Sequence, residues 1–381
     1  MHDVRTVLLL RHVCRTLRLP CGHLWITYLF RYLRRKSVSR ELLNTLFVMT
    51  QGAYVHLDGE TLVAEAEGKP IIQTPLHHIG NVVIFGRVML SPLMIHKCAE
   101  EGRNITLLDI NGRFKARLVG PTTGNVLLRR SQYRASEDKE TCSRIARCIV
   151  AGKLQNCRSV ILRAARECKS EDGERILRRA AQQIARVIES LRAASSIEEI
   201  RGCEGLGTAA YFEAFDSMIF AQRTDFKLTL RTRRPPRDRV NALLSFLYAL
   251  LANDCISAVE SVGLDPQIGY LHAVRPGRPA LALDLMEEFR PAIAERLTLS
   301  LINLRQIKPA DFDVRPGESV LLNDAGRKTV IVAYQKRKQD EISHPLLKTK
   351  IPFGLVPYLQ ARLLARCIRG ETEVYVPYMP R

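Results

Sequence analysis

The sequence predicts an α+β protein, with a small N-terminal β domain followed by a larger, mainly α-helical domain. Three observations predict it. Between residues 41 and 122 apolar residues alternate with polar ones, and the runs break at Asp58-Gly59 and Asn111-Gly112, the pattern of hairpins. Pro121-Thr-Thr-Gly124 then makes a turn-rich boundary. Beyond it apolar residues recur every three or four positions, as one face of a helix requires. A length of 381 residues fits two domains, and 46% hydrophobic residues are enough for a core in each.

Residues 1–40 stand apart. They carry nine Lys or Arg and one acid, Asp3, and so hold +8 of the chain's +19. The apolar block Val7-Leu-Leu-Leu10 is short, and Arg11, Arg15 and Arg18 interrupt the residues after it, which fits a secretory signal poorly. The segment reads as a basic extension of uncertain order. A basic amphipathic helix on DNA or a membrane surface is the other reading.

In the β domain, residues 53–57 and 61–66 form a hairpin about Asp58-Gly59, and residues 81–85 form an apolar strand. Ser91-Pro92 opens a short helix, Ser91 as N-cap and Pro92 at the first position, and Gly102 closes it. Residues 105–109 and 114–119 form a second hairpin about Asn111-Gly112. His77-His78 precedes a strand and reads as surface.

In the helical domain the spacing predicts helices over residues 140–151, 154–168 and 174–194. Glu204 then lies among Gly202, Gly205, Gly207, Ala209 and Ala210, and is either the cap of the helix that carries Tyr211 or a ligand. Arg231, Arg233, Arg234, Arg237 and Arg239 crowd around Pro235-Pro236, a rigid cationic loop ahead of a buried helix at 240–251. Guanidinium forks suit phosphate oxygens, and the loop's own acid is Asp238 alone. A late hairpin is expected near 315–335, its second strand at 329–334, and a final helix over 356–368 with Pro357 in its first turn.

One stretch organises the rest. Gly269-Tyr-Leu-His272 leads through Arg275-Pro-Gly-Arg278-Pro, which cannot continue a helix, into the apolar run 280–286. Asp284 and Glu287 stand three apart on that run and share a face. Carboxylates rising from an apolar helix need a partner, since burying charge is costly. A bound cation is one, with His272 adding a nitrogen ligand; solvated surface acids are the plain alternative.

The charge balance, 58 Lys and Arg against 39 Asp and Glu, points to a polyanionic partner, nucleic acid first. Ten cysteines without a C-x-x-C pair argue against a zinc ribbon or a disulfide scaffold, and reduced thiols in a cytoplasmic protein account for them. No apolar run reads as long enough to span a bilayer, so stable membrane insertion is not expected. No P-loop, dinucleotide fingerprint or nucleophile elbow is present.

Together these pieces resemble the CRISPR-associated endonucleases of spacer acquisition, the Cas-one integrase family, in its type I-C style. The residues that carry the resemblance are Leu43-Asn-Thr-Leu-Phe, Gly52-Ala-Tyr, Phe85-Gly-Arg-Val with Ser91-Pro, Leu108-Asp-Ile-Asn-Gly-Arg-Phe, Glu204-Gly, Arg234-Pro-Pro with Asn241-Ala-Leu-Leu-Ser, and Gly269-Tyr-Leu-His272 with Leu283-Asp-Leu-Met-Glu-Glu-Phe-Arg-Pro291. They run in order from residue 42 onward and leave residues 1–40 outside.

The resemblance implies a β domain for dimerisation over residues 41–122 and a metal-dependent catalytic domain over 123–381. It implies Glu204, His272 and Glu287 as metal ligands, with Asp284 in support or as the third ligand in place of Glu287. Oxygen and imidazole donors suit Mg²⁺ or Mn²⁺. It further implies a DNA endonuclease and integrase that inserts short fragments into a CRISPR array by transesterification. Its partners would be double-stranded DNA, as prespacer and as repeat, a second copy of the chain, and the Cas-two protein in a heterohexamer. Arg231, Arg233, Arg234, Arg237, Arg239, Arg275 and Arg278 are the expected phosphate contacts. A branched-DNA repair nuclease and a non-catalytic basic DNA-binding protein are the alternatives.

Overall fold

A computed structural model describes residues 45–110, 114–118, 120, 126–232, 235–315 and 319–380. The N-terminal extension read from the sequence lies outside the described residues. The chain divides into two compact units, one within residues 36–123 and the other within 124–381.

The first unit holds two four-stranded sheets. One comprises β1 (Thr45–Val48), β5 (Asn81–Phe85), β7 (Asn104–Leu108) and β8 (Phe114–Leu118) in that order, parallel except for the β7–β8 pair. The other runs β4 (Lys69–Pro75), β3 (Thr61–Ala66), β2 (Tyr54–Asp58) and β6 (Met89–Leu90). Gly59 takes the positive φ of 55° that the β2–β3 turn requires. In helix α1 (Pro92–Glu100) the Ser91 hydroxyl accepts from the Met94 N–H and Pro92 sits at the start, as the sequence predicts. Val55, Leu62, Val82, Ile84, Met94 and Ile105 fill the core from both sheets and α1.

The second unit is a stack of helices. It contains α2 (Val126–Glu137), α3 (Lys139–Glu167), α4 (Glu171–Ala193), α5 (Ile197–Glu213), α6 (Arg239–Ser261), α7 (Ala280–Glu287), α8 (Arg296–Asn303), α9 (Asp324–Gln339) and α10 (Val356–Ile368). Helices α3, α4 and α5 pack on one another. On α4, Leu177, Ala180, Ala181, Ile184, Ile188 and Leu191 make one buried stripe. Truncating Ile184, which is fully buried, would cost about 2–5 kcal/mol.

Four expectations change. The helices predicted at 140–151 and 154–168 are one helix, α3, because the intervening Gly152 and Lys153 are both buried in its core face. The second strand of the late hairpin is helix instead. Strands β9 (Phe312–Arg315) and β10 (Ser319–Leu322) pair, and Asn323 then N-caps α9 by accepting from the Gly326 N–H, so residues 329–334 are helical. A β-branched run looked like a strand, but the cap set the backbone. Glu204 does not precede its helix: it lies in the middle of α5, which starts at the Ser196 capping box. Finally, α6 is long and apolar enough to cross a membrane, yet 61% of its apolar window is buried inside the chain. It is the helix on which α7, α8 and α10 pack.

Candidate active site

Three elements bring the predicted acids and the imidazole together. Helix α7 carries Asp284 and Glu287 into the interior, and both are buried. The alternative of solvated surface acids is therefore overturned. Pro291, four residues beyond Glu287, has no N–H to return to its carbonyl. The chain widens there into a π-helical turn, Arg290–Glu295, before α8. Helix α5 approaches α3 at Gly207, where a Cβ would collide with the Leu154 side chain. That approach sets Glu204 of α5 beside Lys153 of α3.

Asp284 organises the loop that holds His272. Its Oδ2 accepts from the main-chain N–H of Tyr270 (2.5 Å) and of Leu271 (2.9 Å), and its Oδ1 accepts from that of His272 (2.9 Å). The same Oδ1 lies 2.7 Å from His272 Nδ1. A carboxylate already facing three donors has no hydrogen to offer, so the imidazole Nδ1–H donates, and in the neutral ring the lone pair falls on Nε2. That Nε2 stands 3.8 Å from Glu287 Oε1. The Arg201 Nε–H ties α5 to the loop by donating to the Leu271 carbonyl at 2.7 Å.

Glu287 and Glu204 are joined by one ammonium. Lys153 Nζ lies 2.7 Å from Glu287 Oε2 and pairs with Glu204 Oε1, which also accepts from Thr208 Oγ1 at 2.9 Å. Arg290 reaches Glu287 Oε1 at 3.2 Å, and its guanidinium lies over the Tyr248 ring. Burial pushes the Glu287 carboxyl up, but Arg290, Lys153 and His272 together carry it down to about 2. Burial likewise pulls Lys153 down, and Glu287 and Glu204 outweigh it, so the amine is held above its ordinary value. Glu204 and His272 keep 28% and 20% of their side chains exposed, while Lys153 keeps 4%. Solvent, and any substrate, therefore reaches the group from the Glu204 and His272 side.

His272 lines a cleft of about 980 Å³ that also receives Arg144, Arg147, Arg192, Arg201 and Lys139. This is a basic surface that leads to the imidazole. Of the arginines expected to meet phosphate, Arg275 and Arg237 are exposed and Arg278 is half-buried. Arg231 is half-buried over the Tyr248 ring and donates to Asn241 Oδ1 and the Thr232 carbonyl. Arg239 donates to the Asp225 carbonyl at 3.0 Å. Arg233 and Arg234 lie outside the described residues.

A basic cleft ending at an imidazole beside paired carboxylates is the setting of a nuclease, and similarity decides which one. The family model of CRISPR associated protein Cas1 matches residues 46–336. A Cas1 endonuclease of Moorella thermoacetica is 54% identical over 340 residues, covering 89% of this chain and 99% of its own length. The chain belongs to the Cas1 family. A Cas1 endonuclease of Rhodospirillum rubrum is 48% identical over 89% of this chain and 99% of its own. A solved Cas1 structure from Thermotoga maritima superposes with a TM-score of 0.75 at 25% identity, over 87% of this chain and 99% of that one. The molecule is thus a DNA endonuclease and integrase of CRISPR spacer acquisition, as the resemblance implied.

Among the described residues, no three His, Cys, Asp or Glu side chains converge closely enough to hold an ion as they stand. Lys153, a cation, stands between two of the expected ligands. As a donor set the residues still suit a hard divalent ion: two carboxylates and an imidazole nitrogen whose tautomer Asp284 sets. Sequence reasoning missed Lys153 in this Cas1 chain. The signal was present, because Lys153 falls on the stripe of Ile149, Cys157 and Val160, where a lysine has no apolar reason to be.

Proposed function

We propose that Glu204, His272 and Glu287 are the metal ligands of this integrase and that Asp284 positions the imidazole without binding the ion. The observation that carries this reading is the distribution of contacts. The Asp284 oxygens are taken up by three main-chain N–H groups and the imidazole Nδ1. Glu204 and Glu287 instead face the Lys153 ammonium at the end of a flexible side chain, and His272 directs Nε2 toward Glu287. Mg²⁺ or Mn²⁺ held there would act as a Lewis acid on a DNA phosphate.

The chain's own residues then do three things. Asp284 fixes the direction of the imidazole, Arg290 and its Tyr248 support hold Glu287, and the basic cleft receives the DNA strand. The group transferred is a phosphodiester: the 3′-hydroxyl of a short fragment attacks, the P–O bond of the repeat breaks, and its 3′-oxygen leaves. The exposed Arg275 and Arg237, with Arg278, contact phosphates, so affinity falls as salt rises. Prespacer and repeat DNA, a second copy of the chain joined through the β domain, and a Cas2 protein bridging two dimers are the partners that family membership supports. The cytoplasm, where the DNA lies, is the compartment.

The test is strand transfer of labelled DNA with Mn²⁺, Mg²⁺ or a chelator, using the parent and His272→Ala. Loss of transfer with chelator and with the variant is the expected result. Transfer at the parent's rate by the variant would sink the assignment and leave the branched-DNA or binding-protein readings.

A further inference from the structure

Lys153 is a buried charge beside the proposed ligands that the reaction does not use. Its ammonium lies within ion-pair distance of Glu204 and of Glu287, and its side chain is 4% exposed. It is carried on the core face of α3, the longest helix among the described residues, so the root of its side chain is fixed by the fold and not by a surface loop. Leu154, the next residue, is fully buried against Gly207 of α5. With Arg290 at 3.2 Å from Glu287, two cations balance two carboxylates. The quartet is therefore neutral as it stands. A divalent ion entering between the same carboxylates would meet the lysine charge at the same oxygen atoms.

We propose that Lys153 is a built-in counter-cation, which holds Glu204 and Glu287 together in the metal-free chain and is displaced from them when a divalent ion binds. This inference rests on the ligand assignment made above. It has two consequences. The site stays assembled before metal arrives, since two neighbouring acids, one buried and one half-buried, repel each other when left without a partner. The ion also binds more weakly than the ligand set alone would allow, because it must compete with the ammonium.

The experiment is Mn²⁺ titration by calorimetry, together with thermal melting with and without Mn²⁺, on the full chain. The variants are Lys153→Met, Lys153→Arg, His272→Ala and the double Lys153→Met/Glu204→Gln. Lys153→Met, which keeps the length and removes the charge, should melt lower without metal and bind Mn²⁺ at least tenfold tighter. Its melting point should rise more with Mn²⁺ than the parent's does. Lys153→Arg should stay near the parent in both respects. If Lys153→Met does not fold without metal, the double variant, which removes one acid as well, should recover the melting point.

Mn²⁺ affinity unchanged or weakened in Lys153→Met overturns the inference, and so does a double variant no more stable than the single one. A parent that binds no Mn²⁺, or a His272→Ala variant that binds it as well as the parent, overturns the ligand assignment and the inference with it. Normal binding by the parent and loss in His272→Ala, with no gain in Lys153→Met, overturns the lysine's role alone.

Discussion

His272 is held by Asp284 at two points, its main-chain N–H at 2.9 Å and its ring Nδ1 at 2.7 Å, both on the same carboxylate oxygen. Ring and backbone are fixed by one atom, so the direction of Nε2 follows from the position of α7. Asp284→Asn keeps the shape but replaces one acceptor oxygen by a donor. Either Nδ1 or the Tyr270 and Leu271 N–H groups must then face an NH₂. The expected result is about 10–100-fold weaker Mn²⁺ binding, as for other partners that orient a ligand histidine. A stability loss of about 1–3 kcal/mol should accompany it. Calorimetric titration and urea unfolding check the two effects separately.

Gly269 permits that contact. A Cβ there would lie 2.8 Å from the Ala280 carbonyl carbon, 2.8 Å from Asp284 Oδ2 and 2.9 Å from Ala280 Cβ. The constraint is space and not backbone angle, and the obstacle is main chain that cannot rotate away. Gly269→Ala should therefore push the loop off α7 and cost about 1–3 kcal/mol. Strand transfer should fall further than stability does, because the displaced segment carries His272. Melting and activity measured on one preparation test this; full activity would mean that α7 yields without moving the imidazole.

The C-terminal tail is tied to the residue after Glu287. Glu288 accepts from the Tyr375 hydroxyl, from the Tyr378 main-chain N–H and, at 3.3 Å, from Gln360 Nε2. Asn156 Nδ2 bridges the Glu288 and Tyr378 carbonyls at 2.8 Å each. Burial pushes the Glu288 carboxyl up to about 8 despite these donors. Tyr375→Phe removes one donor from a fully buried acid, and a loss of about 1–3 kcal/mol in urea unfolding is expected. A change below ~0.5 kcal/mol would show that the tail adds nothing to this end of α7.

Much of this was legible in the sequence because the signals were local. Ser91-Pro92, Asp58-Gly59 and the stripe on α4 act over a few residues, and each appears where its chemistry places it. Asp284 and Glu287 could be put on one face by spacing alone. Legibility failed where a cap was overlooked or a distant contact decided the outcome. Residues 329–334 favour a strand by composition, yet the Asn323 cap and the buried Val330, Ile331 and Tyr334 face make them helical. Lys153 is 51 residues from Glu204 in the chain, and nothing near it in sequence names that partner. Arg231 and Arg239, expected to contact phosphate, also donate to acceptors within the fold, which the sequence does not announce. The proposed choice of Glu287 over Asp284 rests on which main-chain N–H groups the loop supplies, and no pattern encodes that.

His344 gives the fold an acid limit of its own. It is buried beside Tyr378, and its Nδ1 accepts from the Leu347 N–H at 3.3 Å, so the ring is neutral there. Burial lowers its pKa from 6.5 to about 4, against a smaller opposing contact with Gln360. In this window His344 binds fewer protons in the folded chain than in the unfolded one. The stability due to His344 is therefore complete above pH 6.5 and is lost as the pH falls toward 4. The loss reaches about 3 kcal/mol at pH 4, from roughly 1.4 kcal/mol for each unit of pKa difference. His344→Asn keeps an acceptor for Leu347 and cannot take up the proton. Its stability should start lower at pH 7.5 and then fall less than the parent's between pH 6.5 and 4. Parallel curves for the two proteins in denaturant unfolding across that range would mean that His344 is protonated at no cost to the fold.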